Sequence, residues 1–300
     1  MSNSTIEELK TEQTNPEQAE VEQADAEQRT SEQLHSLESN ITINIPRLVI
    51  VTGDKGGVGK STFARALLQT YLDTQQEFIA FDADTSNPQI RRFYGSQCDV
   101  EPFDIFNRGK ADAFLDTLRS FISPPLKPGQ QIPDQGKFLF LLELPSQSIQ
   151  HFRLLEKEMG FLKILENDLH AKATMIAVIN RTKDSVNQLL QMHSFCNEKV
   201  DYVVTKNLFF GDPDAFERYD NSSKVKELKE KGVKLPEIYM PDLIAHAYDY
   251  LDENNYTFAQ GIAQNDKLSV RGRVSRWMEN FKDSITPVKD LLGLKDVSLS

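Results

Sequence analysis

The stretch VTGDKGGVGKST, residues 51–62, decides how this chain is read. It follows an apolar run, RLVIVTG at 47–53. It opens a helical pattern, STFARALLQTYLDTQQ at 61–76, in which Ala64, Leu67, Leu68, Tyr71 and Leu72 share one face. A glycine-rich turn between a buried strand and an amphipathic helix is the context that a nucleotide phosphate loop requires. Gly56, Gly57 and Gly59 let the backbone of 56–59, Val58 included, bend so that successive N–H groups point inward. A helix starting near Lys60 adds its positive end. The Lys60 ammonium suits β- and γ-phosphate oxygens, the Ser61 hydroxyl suits Mg²⁺, and Thr62 is placed for the α-phosphate. A plain turn with an exposed lysine is the bland alternative.

Further along the chain, EFIAFDAD (77–84), KFLFLLELP (137–145), TMIAVIN (174–180), DYVVTKN (201–207) and EIYMPD (237–242) are similar apolar runs. Near-continuous apolar strands are buried on both faces, as in a parallel sheet. Helical stretches separate them, among them SVNQLLQMHSF (185–195) and two more at about 243–260 and 266–283. The alternation predicts an α/β domain, a doubly wound, mostly parallel sheet with helices on both faces. The expected division is a tail at 1–44, one domain at 45–285 and a C-terminal tail at 286–300. A Pro/Gly-rich loop, PPLKPGQQIPDQG, precedes the third run.

The tail carries ten acids against Lys10 and Arg29, which is most of the formal charge of −11. The remainder is near neutral, so acidity does not exclude a nucleic-acid partner. Glu-Gln recurs at 12–13, 17–18, 22–23, 27–28 and 32–33. A period of five matches neither a helix nor a heptad, and few large apolar side chains offset the entropy of ordering, so disorder is expected. The tail reads as a solvated leader or a partner-binding arm. No run approaches 18 apolar residues, and the first 30 residues contain no apolar signal core. Cys98 and Cys196 form no CxxC pair, which fits a reducing, cytoplasmic setting without a zinc site.

KGGVGKST also resembles the deviant Walker A motif of the ParA/MinD family of P-loop ATPases. The resemblance implies ATP with Mg²⁺, and a nucleotide-dependent homodimer in which the signature lysine, here Lys55, reaches the phosphates held by the other subunit. Such an ammonium would neutralise developing charge as an arginine finger does. Asp54 stands where many such loops have glycine, and is expected to point outward. FDADTSNPQIRRFYG (81–95) is similar to the family's switch I, which implies Asp82 near the Mg²⁺ shell and Asp84 orienting the attacking water. Both also suit turn and cap roles. FLFLLELPSQS (138–148) resembles the Walker B strand, with Glu143 in place of the usual aspartate. Asn207, ending VVTKN, and Pro241 and Asp242 in IYMPDLIAHA match segments that line the purine base; Asn207 alone would equally serve as a turn residue. The likeness spans about 46–265 and looks most like plasmid mobilisation and conjugal-transfer members.

KLSVRGRVSRW (267–277) holds Lys267, Arg271, Arg273 and Arg276 with no acid between them, followed by the only tryptophan, Trp277. The stretch reads as a nonspecific DNA-binding surface, with nucleoid association, or as a solvated basic face over a packed Trp277. At helical spacing Arg273, Arg276 and Lys282 would share that face. The C-terminal FKDSITPVKDLLGLKDVSLS, broken by Pro287 and interspersed acids, is a poor membrane anchor. The functional expectation is a slow ATPase that switches by dimerising and acts on DNA or a partner or cargo protein. The alternatives are a P-loop synthetase or kinase for a small molecule, and a nucleotide-binding scaffold that has lost hydrolysis, motivated by Glu143 and Asp54.

Overall fold

The structure, a computed structural model, describes residues 45–53, 55–127, 130, 136–294 and 298–299. The predicted tail and Asp54 lie outside the described residues. The chain divides at Asn44, and Ile45–Ser300 forms one compact unit.

Seven strands build that unit: β1 (Arg47–Thr52), β2 (Ile79–Asp82), β3 (Val100–Pro102), β4 (Leu139–Glu143), β5 (Lys172–Ile179), β6 (Asp201–Asn207) and β7 (Glu237–Met240). All neighbours pair in parallel, in the order β3-β2-β4-β1-β5-β6-β7. The helices are α1 (Lys60–Asp73), α2 (Gln89–Tyr94), α3 (Arg108–Ile122), α4 (Ile149–Met159), α5 (Phe161–Asn167), α6 (Lys183–Cys196), α7 (Glu217–Asp220), α8 (Ser223–Glu230), α9 (Ala245–Glu253), α10 (Phe258–Ile262) and α11 (Leu268–Ile285). The parallel sheet with helices on both faces is as the alternation of runs predicts.

Strand alternation divides the core in two. Leu48 and Ile50 of β1 and Phe140 and Leu142 of β4 face a cluster shared with α3, α4, α5 and α6. Val49, Val51, Leu139 and Leu141 face the other cluster, with α1, α2, α9, α10 and α11. Burying each such aliphatic side chain stabilises the fold by roughly 1.5–3 kcal/mol. The same parity sends Asp82 and Glu143, paired in register across β2 and β4, to the α1 side.

The helix α1 departs from its expected single apolar face. Every residue from Phe63 to Tyr71 is buried, because α1 is enclosed by the sheet, α2 and α11. Arg65 and Gln69, which the pattern turns outward, lie inside. The Arg65 guanidinium stacks 3.3 Å from the centre of the Phe93 ring. Gln69 Oε1 accepts from the Tyr94 hydroxyl at 3.2 Å and from the Ala259 N–H at 3.1 Å.

Two boundaries also differ from expectation. The stretch 243–260 is two helices, separated at Asn254–Asn255 and restarted by a Thr257/Gln260 capping box. Residues 286–294 are not a tail. Thr286–Leu292 forms a 3₁₀ turn with Val288, Leu292 and Leu294 buried. The Tyr71 hydroxyl donates to the Leu292 carbonyl and the Thr174 hydroxyl to the Leu291 carbonyl, each at 2.6 Å.

Candidate functional site

At the carboxyl ends of the central strands lies a cavity of about 610 Å³, within the range of small-ligand sites. It sits where the chain reverses direction across the sheet, around β1 and β4. One half is polar, lined by Gly56, Gly57, Gly59, Lys60, Ser61, Thr62, Asp84, Glu143 and Ser146. The other is largely apolar, with Phe209, Met240, Pro241, Leu243 and Trp277. An anionic group beside a flat apolar one fits that division.

The phosphate loop is built as its sequence requires. Gly57 and Gly59 take φ of +74° and +101°. A Cβ on Gly59 would lie 2.4 Å from Asn207 Nδ2 and 2.7 Å from Met240 Cε, so both space and conformation demand glycine. Gly59 is the N-cap of α1, and no side chain caps that end, which leaves its N–H groups for a ligand. Val58 is buried beneath the loop rather than lining the cavity. Lys60 is buried, and its ammonium donates to Ser146 Oγ at 3.0 Å and to the Lys55 carbonyl at 3.4 Å. Lys55 itself is exposed.

Glu143 ends β4 at 2 % exposure. The Ser61 hydroxyl donates to its Oε1. Its Oε2 is buried without a hydrogen-bond partner. Burial drives the carboxyl pKa up to about 7, against a lowering by the Ser61 hydroxyl; nearby Asp82 raises it and Lys60 lowers it. An orphaned carboxylate oxygen beside a hydroxyl is an oxygen donor set suited to Mg²⁺, which takes one or two carboxylates and completes its shell with phosphates and water. Among the described residues no group of three or more His, Cys, Asp or Glu could hold a metal without such help.

Asp82 and Asp84 are placed differently from each other. β2 stops at Asp82, so alternation does not carry through to Asp84. Asp82 lies inside, where its two oxygens accept the N–H groups of Asp84 at 3.2 Å and Arg91 at 3.0 Å. Burial raises its pKa, and those N–H groups oppose the rise. It braces the switch segment from behind instead of lining the cavity. Asp84 does line it, and its Oδ1 accepts from the Ser86 N–H and hydroxyl and the Asn87 N–H.

The base-side assignments shift similarly. Asn207 lines the cavity, but its Nδ2 donates to the Val58 carbonyl at 2.8 Å and its Oδ1 accepts from the Phe209 N–H. It ties β6 to the phosphate loop. Pro241 lines the apolar wall and its carbonyl accepts from Trp277 Nε1 at 2.7 Å, while Asp242 is exposed and outside the lining. Sequence reading missed Ser146, Asn87, Gln89, Tyr248 and Asp249, all of which line the cavity. Ser146 had a signal, a hydroxyl three residues past the end of the Glu143 strand.

The predicted basic face is only partly formed. Lys267, Arg271 and Arg273 are exposed around the start of α11. Arg276 pairs with Glu279 at 3.1 Å, and Lys282 pairs with Asp73 at 2.8 Å, turned away into the α1 contact. Trp277 is packed, stacked between Phe258 and Phe281 with ring centres 4.9 Å and 5.5 Å away. Among the described residues no helix is long and apolar enough to cross a membrane.

The CobQ/CobB/MinD/ParA nucleotide-binding domain matches residues 49–245, from β1 through the start of α9. The chain belongs to the CobQ/CobB/MinD/ParA nucleotide-binding family. This family member is 22 % identical over 236 residues to Protein MobD of Acidithiobacillus ferrooxidans, covering 78 % of this chain and 94 % of MobD. Among solved structures it is similar to the MinD cell division protein of Aquifex aeolicus, at 13 % identity and a TM-score of 0.42, covering 78 % of this chain and 96 % of that one. A plasmid partition protein of Borrelia burgdorferi bound to AMPPNP gives 14 % identity and a TM-score of 0.42, covering 81 % of this chain and 99 % of that one.

Proposed function

We propose that this ParA/MinD-type chain is a slow, Mg²⁺-dependent ATPase that acts as an ATP-driven dimerisation switch, with mobilisation or partition of plasmid DNA, or positioning of a cargo, as its output. The observation that carries the reading is the contrast between two lysines of one loop. Lys60 is buried among the groups that would face the phosphates, whereas Lys55 stands exposed at the same loop, where a second subunit would meet it. The 22 % identity to MobD supports the mobilisation branch of the proposal.

In this scheme the N–H groups of 56–59 and the start of α1 receive the phosphates, and Lys60 leaves Ser146 and the Lys55 carbonyl for phosphate oxygens. Ser61 and Glu143 would hold Mg²⁺, which when bound neutralises phosphate charge. Asp84 orients water at the cavity wall, and Asp82 fixes the segment that carries it. Phe209, Pro241 and Trp277 exclude water around the base. The engagement of Asp84 Oδ1 by Ser86 and Asn87 is consistent with slow turnover.

Sedimentation with ATP and Mg²⁺ tests the switch. Asp84→Ala is expected to accumulate as dimer, and Lys55→Ala to stay monomeric while still binding nucleotide; a Lys55→Ala protein that dimerises normally overturns it. Phosphate release from ATP with no added substrate separates a switch from a synthetase. If the closed dimer holds DNA through α11, replacing Arg271 and Arg273 by Ala abolishes retention on nonspecific duplex at low salt without changing dimerisation.

A further inference from the structure

We propose that Ser146 is a direct ligand of the terminal phosphate, and the side chain by which this site distinguishes a nucleoside triphosphate from a diphosphate. The proposal rests on the nucleotide reading above and deepens it.

Ser146 lies in the short loop Leu144–Ser148 that joins β4 to α4, and it lines the cavity. Its Oγ accepts a hydrogen bond from Lys60 Nζ at 3.0 Å. The same oxygen lies 3.7 Å from where a Cβ on Gly56 would be, so it overhangs the phosphate loop from the opposite wall. An anion oxygen bound by Lys60 sits about 2.8 Å from its nitrogen. A hydroxyl bonded to that nitrogen reaches the same oxygen when both lie on the loop side of the ammonium, the side on which Ser146 stands.

Chemistry favours an exchange of partners. A serine hydroxyl both donates and accepts, whereas an ammonium only donates and a phosphate oxygen only accepts. Without a terminal phosphate, Ser146 accepts from Lys60. With one, Lys60 turns to the phosphate and Ser146 donates its proton to the same group. A diphosphate engages Lys60 through its β-phosphate but brings no terminal oxygen to Ser146, which then adds nothing to its binding.

The backbone around Ser146 forms a tight turn. Gln147, a non-glycine residue, is held at φ +63°, in the left-handed region that side chains disfavour. The Ser148 hydroxyl donates to the Pro145 carbonyl at 2.8 Å and closes the turn. α4 begins at the next residue, Ile149.

Calorimetric titration of the full chain, in Mg²⁺, with ADP and with AMPPNP tests this. Ser146→Ala is expected to weaken AMPPNP by about tenfold, the loss of one hydrogen bond to a charged group, and to leave ADP within about twofold. Ser146→Thr, which keeps the hydroxyl, restores the preference. If Ser146→Ala weakens both nucleotides alike, or neither, the assignment is overturned while nucleotide binding stands. If the unmodified chain binds neither AMPPNP nor ADP, the nucleotide reading falls with it.

Discussion

Glu143 and Lys206 are both buried charges near the carboxyl ends of strands, and their surroundings are opposite. Lys206, on β6, meets Asp220 Oδ1 at 2.6 Å and Glu237 Oε2 at 2.9 Å, over the Tyr219 ring. Glu237 in turn takes Lys229 at 2.6 Å. Burial pulls the Lys206 pKa down, but the two carboxylates more than reverse this and hold it above its ordinary value. Glu143 has one hydroxyl donor and one oxygen with no partner, and its pKa is pushed up to about 7. A buried charge whose partners belong to the protein serves the fold. One left short of partners, at a cavity wall, has bonding capacity to spare for a ligand.

The comparison can be broken in three places. The largest effect is expected at Lys60. Lys60→Ala should reduce nucleotide affinity by roughly 4 kcal/mol, through lost charge-assisted hydrogen bonds, with little change in the thermal midpoint. Equal losses of binding and stability would place Lys60 on the structural side with Lys206.

Next is the pH dependence of stability without nucleotide. The folded-state pKa of Glu143 is raised, so the stability it confers is full below the ordinary carboxylate pKa and is lost as pH climbs to about 7. Asp82, raised in the same direction, adds to that slope. The part due to Glu143 amounts to about 3 kcal/mol by linkage. Denaturant titrations of Glu143→Gln should show a shallower decline over that window, and an unchanged slope would show that Glu143 is not strained by burial.

The smallest effect is that of Lys206→Met. Removing one member of a buried pair costs about 3–5 kcal/mol when both partners are sealed. Asp220 and Glu237 keep solvent access at 41 % and 23 % exposure, so roughly 2 kcal/mol is expected. Nucleotide affinity measured on the same protein should stay within about twofold.

How far the sequence was legible follows physical lines. The strand–loop–helix around 51–62 could be read because its glycines and Lys60 are constrained locally. The central strands could be read because burial on both faces leaves only apolar residues. β3 was missed: Val100–Pro102 is a three-residue edge strand with exposed Glu101 and Pro102 and no apolar run. Residues 286–294 were missed because Lys289 and Asp290 interrupt the apolar residues there, and what anchors the segment, Tyr71 and Thr174 on the Leu292 and Leu291 carbonyls, is distant in sequence. Asp82, Asp84, Asn207, Pro241 and Asp242 were found as a group, but which of them face the cavity depends on where β2 and β7 stop. Lys282 read as part of a basic face, and Arg65 drew no reading, since nothing local announces Asp73 or Phe93 as their neighbours.

The indole at position 277 has a practical consequence. It is the sole chromophore of its kind in 300 residues, clamped between two phenyl rings nearly parallel to it, at 9° and 8°. Its nitrogen is tethered to the carbonyl of a proline in the cavity wall. Emission excited on the long-wavelength side of the eight tyrosines therefore arises from one known spot beside the candidate ligand, and a stopped-flow trace needs no dye to follow it.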